Sequence, residues 1–577
     1  MKKRIICLFM ATISVLLTFA ACKDSTSPPT DTNNCTQESS AETKGDESDM
    51  LLISQNGETN YKIINSFSTV DVNAAVNTTV ADLKSKTGAT FKVGGASSEE
   101  TDYEIVIGEI SNRAGCKTVY EALAYTAQGI RIVGTKIYVM AYDAAHVPTL
   151  LEYLKENIVE YKENVWGISK SYSYIKDGSA VSALIPKFES ETAKLGGIYD
   201  CGEGNYELHY TKVTEKDFEA YLDTLAEKGF TEYDTSESNE NVFGTYLKGS
   251  AQINTCWYPS KKIFKIIYGV QSYLPATEPQ NITAVCTPSI TQLGREGAAL
   301  STAPGMSYVL QLSDGRYIII DGGPGNDNDE AALLKFLQDN KPSGMAKPVI
   351  AAWFVTHAHE DHLKLANNFL SKYHDEIELE MVAYNFPDFE TVTIKHEDPG
   401  YMSILANNFK KMKTVYFKNA DTWVFHTGQK LCVGDAVIEI IYTHEDLYPN
   451  TISWGNHTSS AFRITLGGKT ITILGDAEVA LCQYMADVYG TVLKSDMLQL
   501  THHGFNGAVL DLYKYIDPDI CFWPVDENRF LTDGRCLGTI TEEYIFNLWL
   551  RDDTIKKREH YHSSTTTTIM LTGNEEG

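Results

Sequence analysis

Cysteine is scarce and unpatterned in this chain. Eleven cysteines occur among 577 residues, and no two stand in a C-x-x-C spacing. That excludes a disulfide-built scaffold and a zinc ribbon. Positive charge is short as well: 49 Lys and Arg face 76 Asp and Glu, a formal net charge of −27. Non-specific nucleic-acid binding needs a basic footprint to displace counterions, so no nucleic-acid partner is expected. There is no Gly-rich phosphate loop and no dinucleotide fingerprint; Gly322-Gly323-Pro324-Gly325 fits a turn after a strand. Past the N-terminus, no stretch is long and apolar enough to cross a bilayer. The remainder is globular in character, with 43% hydrophobic and 22% charged residues. At roughly 100–200 residues per domain, the length allows about three or four.

Lys2, Lys3 and Arg4 precede an almost wholly apolar run from Ile5 to Leu17, and Phe19-Ala20-Ala21-Cys22 follows. This is the pattern of a secretory signal, residues 1–21, and the run is shorter than the ~20 residues of a spanning helix. Small residues abutting Cys22 resemble a bacterial lipoprotein signal, although Phe19 stands where that family carries an aliphatic residue. The resemblance implies lipidation of Cys22 and an exported protein anchored at the bacterial cell surface or envelope. Without lipid, the same signal means plain secretion. Residues 22–50 are rich in Ser, Thr, Asp, Asn, Glu and Pro with no apolar period, and read as a flexible tether.

Three folded blocks are expected next. Residues 51–185 alternate strand and helix signals and form a small α/β unit: a helical face at Val76, Val80 and Leu83, a strand at 103–108, and a hairpin at 130–141. The pattern loosely resembles the accessory domain ahead of many glycoside hydrolase barrels, but no barrel follows; a spacer or docking role is the expectation. Residues 190–276 read as a separate α+β domain. There, Thr214 and Asp217 suggest a capping box, followed by the helical face Phe218, Tyr221, Leu222 and Leu225. Cys201 and Cys256 lie within it, in position to pair or not. Residues 281–577 hold 12 of the 14 histidines, all between 357 and 562, so metal or acid–base chemistry is sought there.

The apolar run Val349 to Val355 reads as a strand buried on both faces. It ends in Thr356-His357-Ala358-His359-Glu360-Asp361-His362, and helical spacing resumes at Leu363. Across an extended segment His357 and His359 share a side, while Asp361 and His362 turn to a second point. Imidazole and carboxylate donors so placed suit two borderline metal ions side by side: zinc, with manganese or iron held by the same ligand types.

This string resembles the signature of the metallo-β-lactamase fold superfamily, and the resemblance extends over about 290 residues. A hairpin ending in Asp321-Gly322-Gly323 resembles the family's first motif, where the Asp orients a metal-bound His. Gly475-Asp476 resembles the motif whose Asp bridges both metals. Thr501-His502-His503-Gly504 matches the last histidine motif; the resemblance makes His503 the ligand and turns His502 to the substrate. The implied architecture is an α/β αββα sandwich with two small domains ahead of it. One stretch departs from the pattern. Gly455-Asn456-His457-Thr458-Ser459-Ser460 reads two ways. Either His457-Thr458 supplies the usual third His of the first metal, or Asn456 and Ser459 form the Asn-x-x-Ser of a subfamily lacking that His. The subfamily also ends in His-His-Gly, which favours the second reading. It includes the nuclease-like domain of DNA-uptake channels and phosphorylcholine esterases. His374, His396, His426 and His444 read as surface or satisfied histidines, and His560 and His562 as residues that could stand at the site mouth.

The expected protein is therefore a surface-tethered binuclear zinc hydrolase with ligands His357, His359, Asp361, His362, Asp476 and His503. Asp361 doubles as proton acceptor, and a phosphodiester in an envelope polymer, glycan or lipid headgroup is the expected substrate. Hydrolysis of a lactone, thioester or amide is the alternative enzyme reading. A non-catalytic glycan-binding surface lipoprotein is the alternative outside enzymes.

Overall fold

The computed structural model describes residues 47–572 apart from 68–69, 111, 122–127, 142–145, 177–184, 203, 271–272, 295–304, 326, 391, 393 and 542–543. The signal peptide, Cys22 and nearly all of the tether fall outside the described residues. From Asp46 onward the chain forms one contact unit.

The first block is a six-stranded sheet in the order 92–95, 62–65, 104–107, 136–140, 128–133, 173–176, with a three-stranded ribbon beside it. Two helices, Val70–Thr87 and Val147–Asn157, bury Val72, Val76, Leu83, Leu150, Leu151 and Leu154 against it. The first of them runs further than its apolar stripe suggests and stops where Gly88 takes φ +75°.

The second block is a six-stranded antiparallel sheet carrying the helix Glu215–Glu227. Thr214 and Asp217 form a reciprocal capping box at its start. Cys201 and Cys256 are both free and buried, so they do not pair. The block is less separate than its sequence suggests. Phe243, Cys256, Tyr258 and Ile267 on one face of its sheet belong to the same apolar core as the third block. Lys265, buried, lies 3.2 Å from Glu207 and donates to the carbonyl of Glu445 in the third block at 2.8 Å. Tyr258 and Tyr484 both donate to Asp446 Oδ1 at 3.1 Å. A sheet face that meets another domain reads in sequence like one that meets its own helix, which is why the docking was not legible.

The third block is the expected αββα sandwich. Its first sheet contains β1 (Ser307–Gln311), β2 (Tyr317–Asp321) and β3 (Val349–Phe354). β1 and β2 are antiparallel; β2 and β3 are parallel. The second sheet contains β4 (Ala461–Leu466), β5 (Lys469–Ile473), β6 (Met497–Gln499), β7 (Ile520–Trp523) and β8 (Glu559–His562), parallel from β5 to β8. Side chains alternate across each strand. Ile318, Ile320 and Phe354 therefore fill the layer between the sheets with Phe462, Ile471, Ile473 and Phe522. Ile319 and Trp353 face the helices instead, with Phe369 of α1 (Glu360–Lys372) and Phe409 of α2 (Gly400–Tyr416). Isoleucines 318, 319 and 320 are all fully buried. At about 1.5–3 kcal/mol each, they anchor the strand whose end reaches the site.

Candidate metal centre

Two parallel pairs of strands, one in each sheet, end at one place: Asp321 closes β2, His357 follows β3, Asp476 follows β5, and His502 and His503 follow β6. Ligand sites in open α/β sheets form at such carboxyl ends. After β3 the chain stays extended to His359, the N-cap of α1, and Asp361 and His362 sit in the first helical turn. The acidic side chains there also suit the positive helix end.

Asp321 organises this turn from beneath. Its Oδ1 accepts the backbone N–H of Thr356 at 2.8 Å and its Oδ2 the Thr356 hydroxyl at 2.7 Å. The same Oδ2 is 2.7 Å from His362 Nδ1. Gly322 donates to the carbonyl of His362 at 2.7 Å, and a Cβ at 322 would stand 2.8 Å from the nitrogen of Ala366. The Asp-Gly pair thus lets β2 touch α1 directly.

Above Asp321 the donors converge. Asp361, His362, Asp476 and His503 each offer one atom, all within 4.8 Å of one another. His503 Nε2 is 3.0 Å from Asp361 Oδ2 and 3.2 Å from Asp476 Oδ2; His362 Nε2 is 3.2 Å from Asp476 Oδ1. His357 and His359 stand alongside, with ring centroids 4.6 Å apart, and His357 lies 4.2 Å from His362. Among the described residues, Nε2 of His357, His359, His362 and His503 and Oδ1 of Asp476 are buried without a hydrogen-bond partner. Atoms this close that lack hydrogen-bond alignment with each other can face a shared cation. Buried polar groups are otherwise nearly always satisfied, so this donor set fits divalent metal ions.

Electrostatics agree. Burial favours the neutral forms, but Asp476, Asp361 and Asp321 outweigh it and raise His362 well above the usual range. Burial is likewise overcome at His503, where Asp476 and Asp361 push the ring up to about 9. Against burial, the His362 charge beside them holds Asp361 and Asp476 below the usual carboxylate range. His357, buried beside His362 and His359, is held neutral, the form that ligates.

His502 and His503 occupy a tight turn past β6, with φ +46° and +60°. Asp321 also has positive φ, +55°. Non-glycine residues held there cost about 1–3 kcal/mol each, and they recur at functional sites. The two histidines diverge. His503 joins the cluster, while His502 Nε2 lies 3.3 Å from Asn456 Nδ2 and its Nδ1 has no partner among the described residues. Gly504, at φ +81°, lies so close to Trp523 that a Cβ would stand 2.5 Å from its ring.

The divergent stretch lies against the cluster but turns its histidine to another partner. Asn456 Nδ2 donates to Glu478 at 3.1 Å, and His457 Nε2 is 3.4 Å from Glu478. His457 Nδ1 accepts the N–H of Ser453 at 3.3 Å. Ser459 Oγ accepts the N–H of Asp476 at 3.2 Å. The structure thus turns His457 to Glu478, and seats Ser459 behind Asp476. Two acidic residues near the site carry no motif in the sequence: Glu478, and Glu397, whose Oε1 is 3.2 Å from His359 Nε2. His426 pairs with Glu445 at 2.9 Å, His444 meets the carbonyl of Cys201 at 3.1 Å, and His374 stacks on Tyr416. His396 packs on Trp454, and His560 Nδ1 accepts the Trp523 indole N–H at 3.0 Å.

Comparison with known proteins points the same way. A family model described as the metallo-beta-lactamase superfamily matches residues 301–401, a span that holds Asp321 and the His357–His362 string. No curated protein sequence matches the chain. Among solved structures, CmlA, a diiron beta-hydroxylase from Streptomyces venezuelae, is similar at 12% identity and a TM-score of 0.30, covering 49% of this chain and 54% of its own. The likeness thus spans about half of that enzyme's length. Zn(2+)-bound PqqB from Methylobacterium extorquens is similar at 11% identity and a TM-score of 0.23, covering 45% and 78%. Likenesses this slight carry no argument about activity.

Proposed function

We propose that this chain, which carries a metallo-beta-lactamase superfamily domain of the metal-dependent hydrolase kind, is an exported binuclear zinc phosphodiesterase tethered through lipid on Cys22. The observation that carries the metal reading is the convergence, at the ends of β3, β5 and β6, of buried His and Asp atoms that have no well-aligned hydrogen bond among the described residues. His357, His359 and Asp476 would hold one ion, and Asp361, His362, His503 and Asp476 the other. Manganese or iron would suit the same donors. Two such ions, when bound, activate water at neutral pH and polarise the scissile bond.

The chain's own residues do the rest. Asp321 fixes the orientation of the His362 ring. Asp361 faces the cluster through Oδ2 and takes the proton of the attacking water at its carboxylate. Asn456 holds His502 by Nε2, leaving Nδ1 to meet substrate. Burial keeps His502 below the usual histidine range, so at neutral pH it contacts substrate as a neutral imidazole. The phosphodiester preference rests on the Asn-x-x-Ser and His-His-Gly resemblance, and an envelope polymer or headgroup suits a tethered enzyme.

The test is a hydrolysis screen of the metal-reconstituted protein on bis-p-nitrophenyl phosphate, lactones, thioesters and nitrocefin. Phosphodiester turnover is expected. Turnover of a lactone or thioester alone would replace the substrate class, and inactivity on all with glycan binding would make it a binding protein. Fractionation of Cys22→Ser, expected to leave the membrane fraction, tests the anchor.

A further inference from the structure

Beside the ion assigned to His357 and His359, His457 does not serve as a third donor, because it is committed to Glu478 and Ser453. Glu397 stands in that place. It lies just before α2, in a stretch with no recognisable motif. Its two carboxylate oxygens have separate tasks. Oε2 accepts the backbone N–H of Gly455 at 2.7 Å, which fixes the group. Oε1 is left 3.2 Å from His359 Nε2. That pair repeats the signature of the neighbouring cluster: His359 Nε2 is buried and at ion-pair distance from a carboxylate, with no well-aligned hydrogen bond among the described residues. Both atoms therefore face a common point.

The backbone is shaped to permit it. A Cβ on Gly455 would stand 2.3 Å from His359 Nε2, 2.7 Å from Met402 Sδ and 2.8 Å from Glu397 Oε2. Only glycine lets the 455 amide reach the carboxylate while His359 keeps its position. The side chains of His359 and Glu397 are 21% and 33% exposed, so the pair is only partly buried although Nε2 itself is covered.

We propose that Glu397 is a protein ligand of the first metal ion, filling with a carboxylate the position that a third histidine holds elsewhere in the superfamily. The proposal rests on the two-metal reading above. Three carboxylates would then face the two ions, with Asp361 at the second, Glu397 at the first and Asp476 between them. A carboxylate also makes the first site more anionic than a three-histidine site, favouring harder divalent ions such as manganese or iron beside zinc.

The test counts and weighs metals rather than turnover. Wild type, Glu397→Gln, Glu397→Ala and Glu397→His are reconstituted with Co(II), and ions per chain are read by native mass spectrometry. Chelator competition gives each affinity, and the visible absorption spectrum reports the ligand field. Wild type should hold two ions. Glu397→Gln, the same shape without the charge, should weaken one ion at least tenfold and change the spectrum. Glu397→His should restore occupancy. The double variant Glu397→Gln/His359→Ala should still keep one ion at full affinity, and Glu397→Gln/His503→Ala should keep one ion bound at least tenfold more weakly. Two ions of unchanged affinity and spectrum in Glu397→Gln and Glu397→Ala would overturn the proposal, leaving Glu397 an ion-pair partner of His359 and the two-metal reading intact. A wild type that holds no ion would overturn both.

Discussion

Asp321 and His362 are both fully buried, with Oδ2 and Nδ1 2.7 Å apart. In the neutral, ligating form of His362 that contact places the proton on Nδ1, which leaves Nε2, 3.2 Å from Asp476, as the donor atom. Replacing Asp321 with Asn removes the charge that holds the ring and its proton. Outer-shell partners of this kind are typically worth about 10–100-fold in metal affinity. Asp321→Asn should fall within that range by chelator competition, with circular dichroism unchanged. Wild-type affinity would mean that His362 is oriented by packing alone.

Metal uptake should expel protons. His503 is pushed up to about 9 in the metal-free protein, so it is protonated at pH 7, whereas ligation needs the neutral ring. Calorimetry in buffers of different ionisation enthalpy should show net proton release at pH 7, shrinking above pH 9. Apparent affinity should rise across the same window. The stability of the metal-free protein runs the other way. A raised histidine contributes fully below its unfolded value of about 6.5, and the contribution is lost as pH climbs through 9. Tm of the metal-free protein should therefore fall from pH 6.5 to 9. Uptake without proton release would contradict the assignment of His503.

His502 and His503 should part company on mutation. His503→Ala should lose an ion. His502→Ala should keep both and lose turnover by about 10²–10³-fold, the usual worth of one positioned transition-state donor. Loss of an ion from His502→Ala would reverse their roles.

Much of the third block could be read from one chain because each element ends in its own chemistry. A buried apolar run followed at once by His or Asp marks a strand whose end faces a site, and this occurs at Asp321, His357, Asp476 and His503. Glu397 gave no such signal. It is placed by the amide of Gly455, 58 positions away in the chain, and by its reach to His359. The turn at His502 and His503 was unread for a related reason: two consecutive left-handed histidines are a strained state that surrounding contacts impose and local preference does not. The pairing of Lys265 with Glu207 and Glu445 joins distant segments, and nothing near Lys265 announces it.

That buried lysine gives a stability prediction. Lys265→Ala would take from buried Glu207 its nearest cation, at 3.2 Å, leaving only His209 at 3.7 Å among the described ion-pair partners, and would remove the donor to Glu445. Breaking a buried pair from one side costs about 3–5 kcal/mol. The denaturation midpoint should fall accordingly. A loss under about 1 kcal/mol, the range of exposed pairs, would show that the junction between the second and third blocks is solvated.

The central claim is that the ends of β3, β5 and β6 hold two metal ions. Native mass spectrometry of the reconstituted protein tests it most directly, alongside His359→Ala, His503→Ala and Asp361→Asn. Wild type should carry two divalent ions per chain. His359→Ala and His503→Ala should each carry one, and Asp361→Asn should fold normally yet lose at least about 10²-fold in kcat/KM. A wild type that stays at one ion or none in excess metal, or an Asp361→Asn variant with wild-type turnover, would contradict the account.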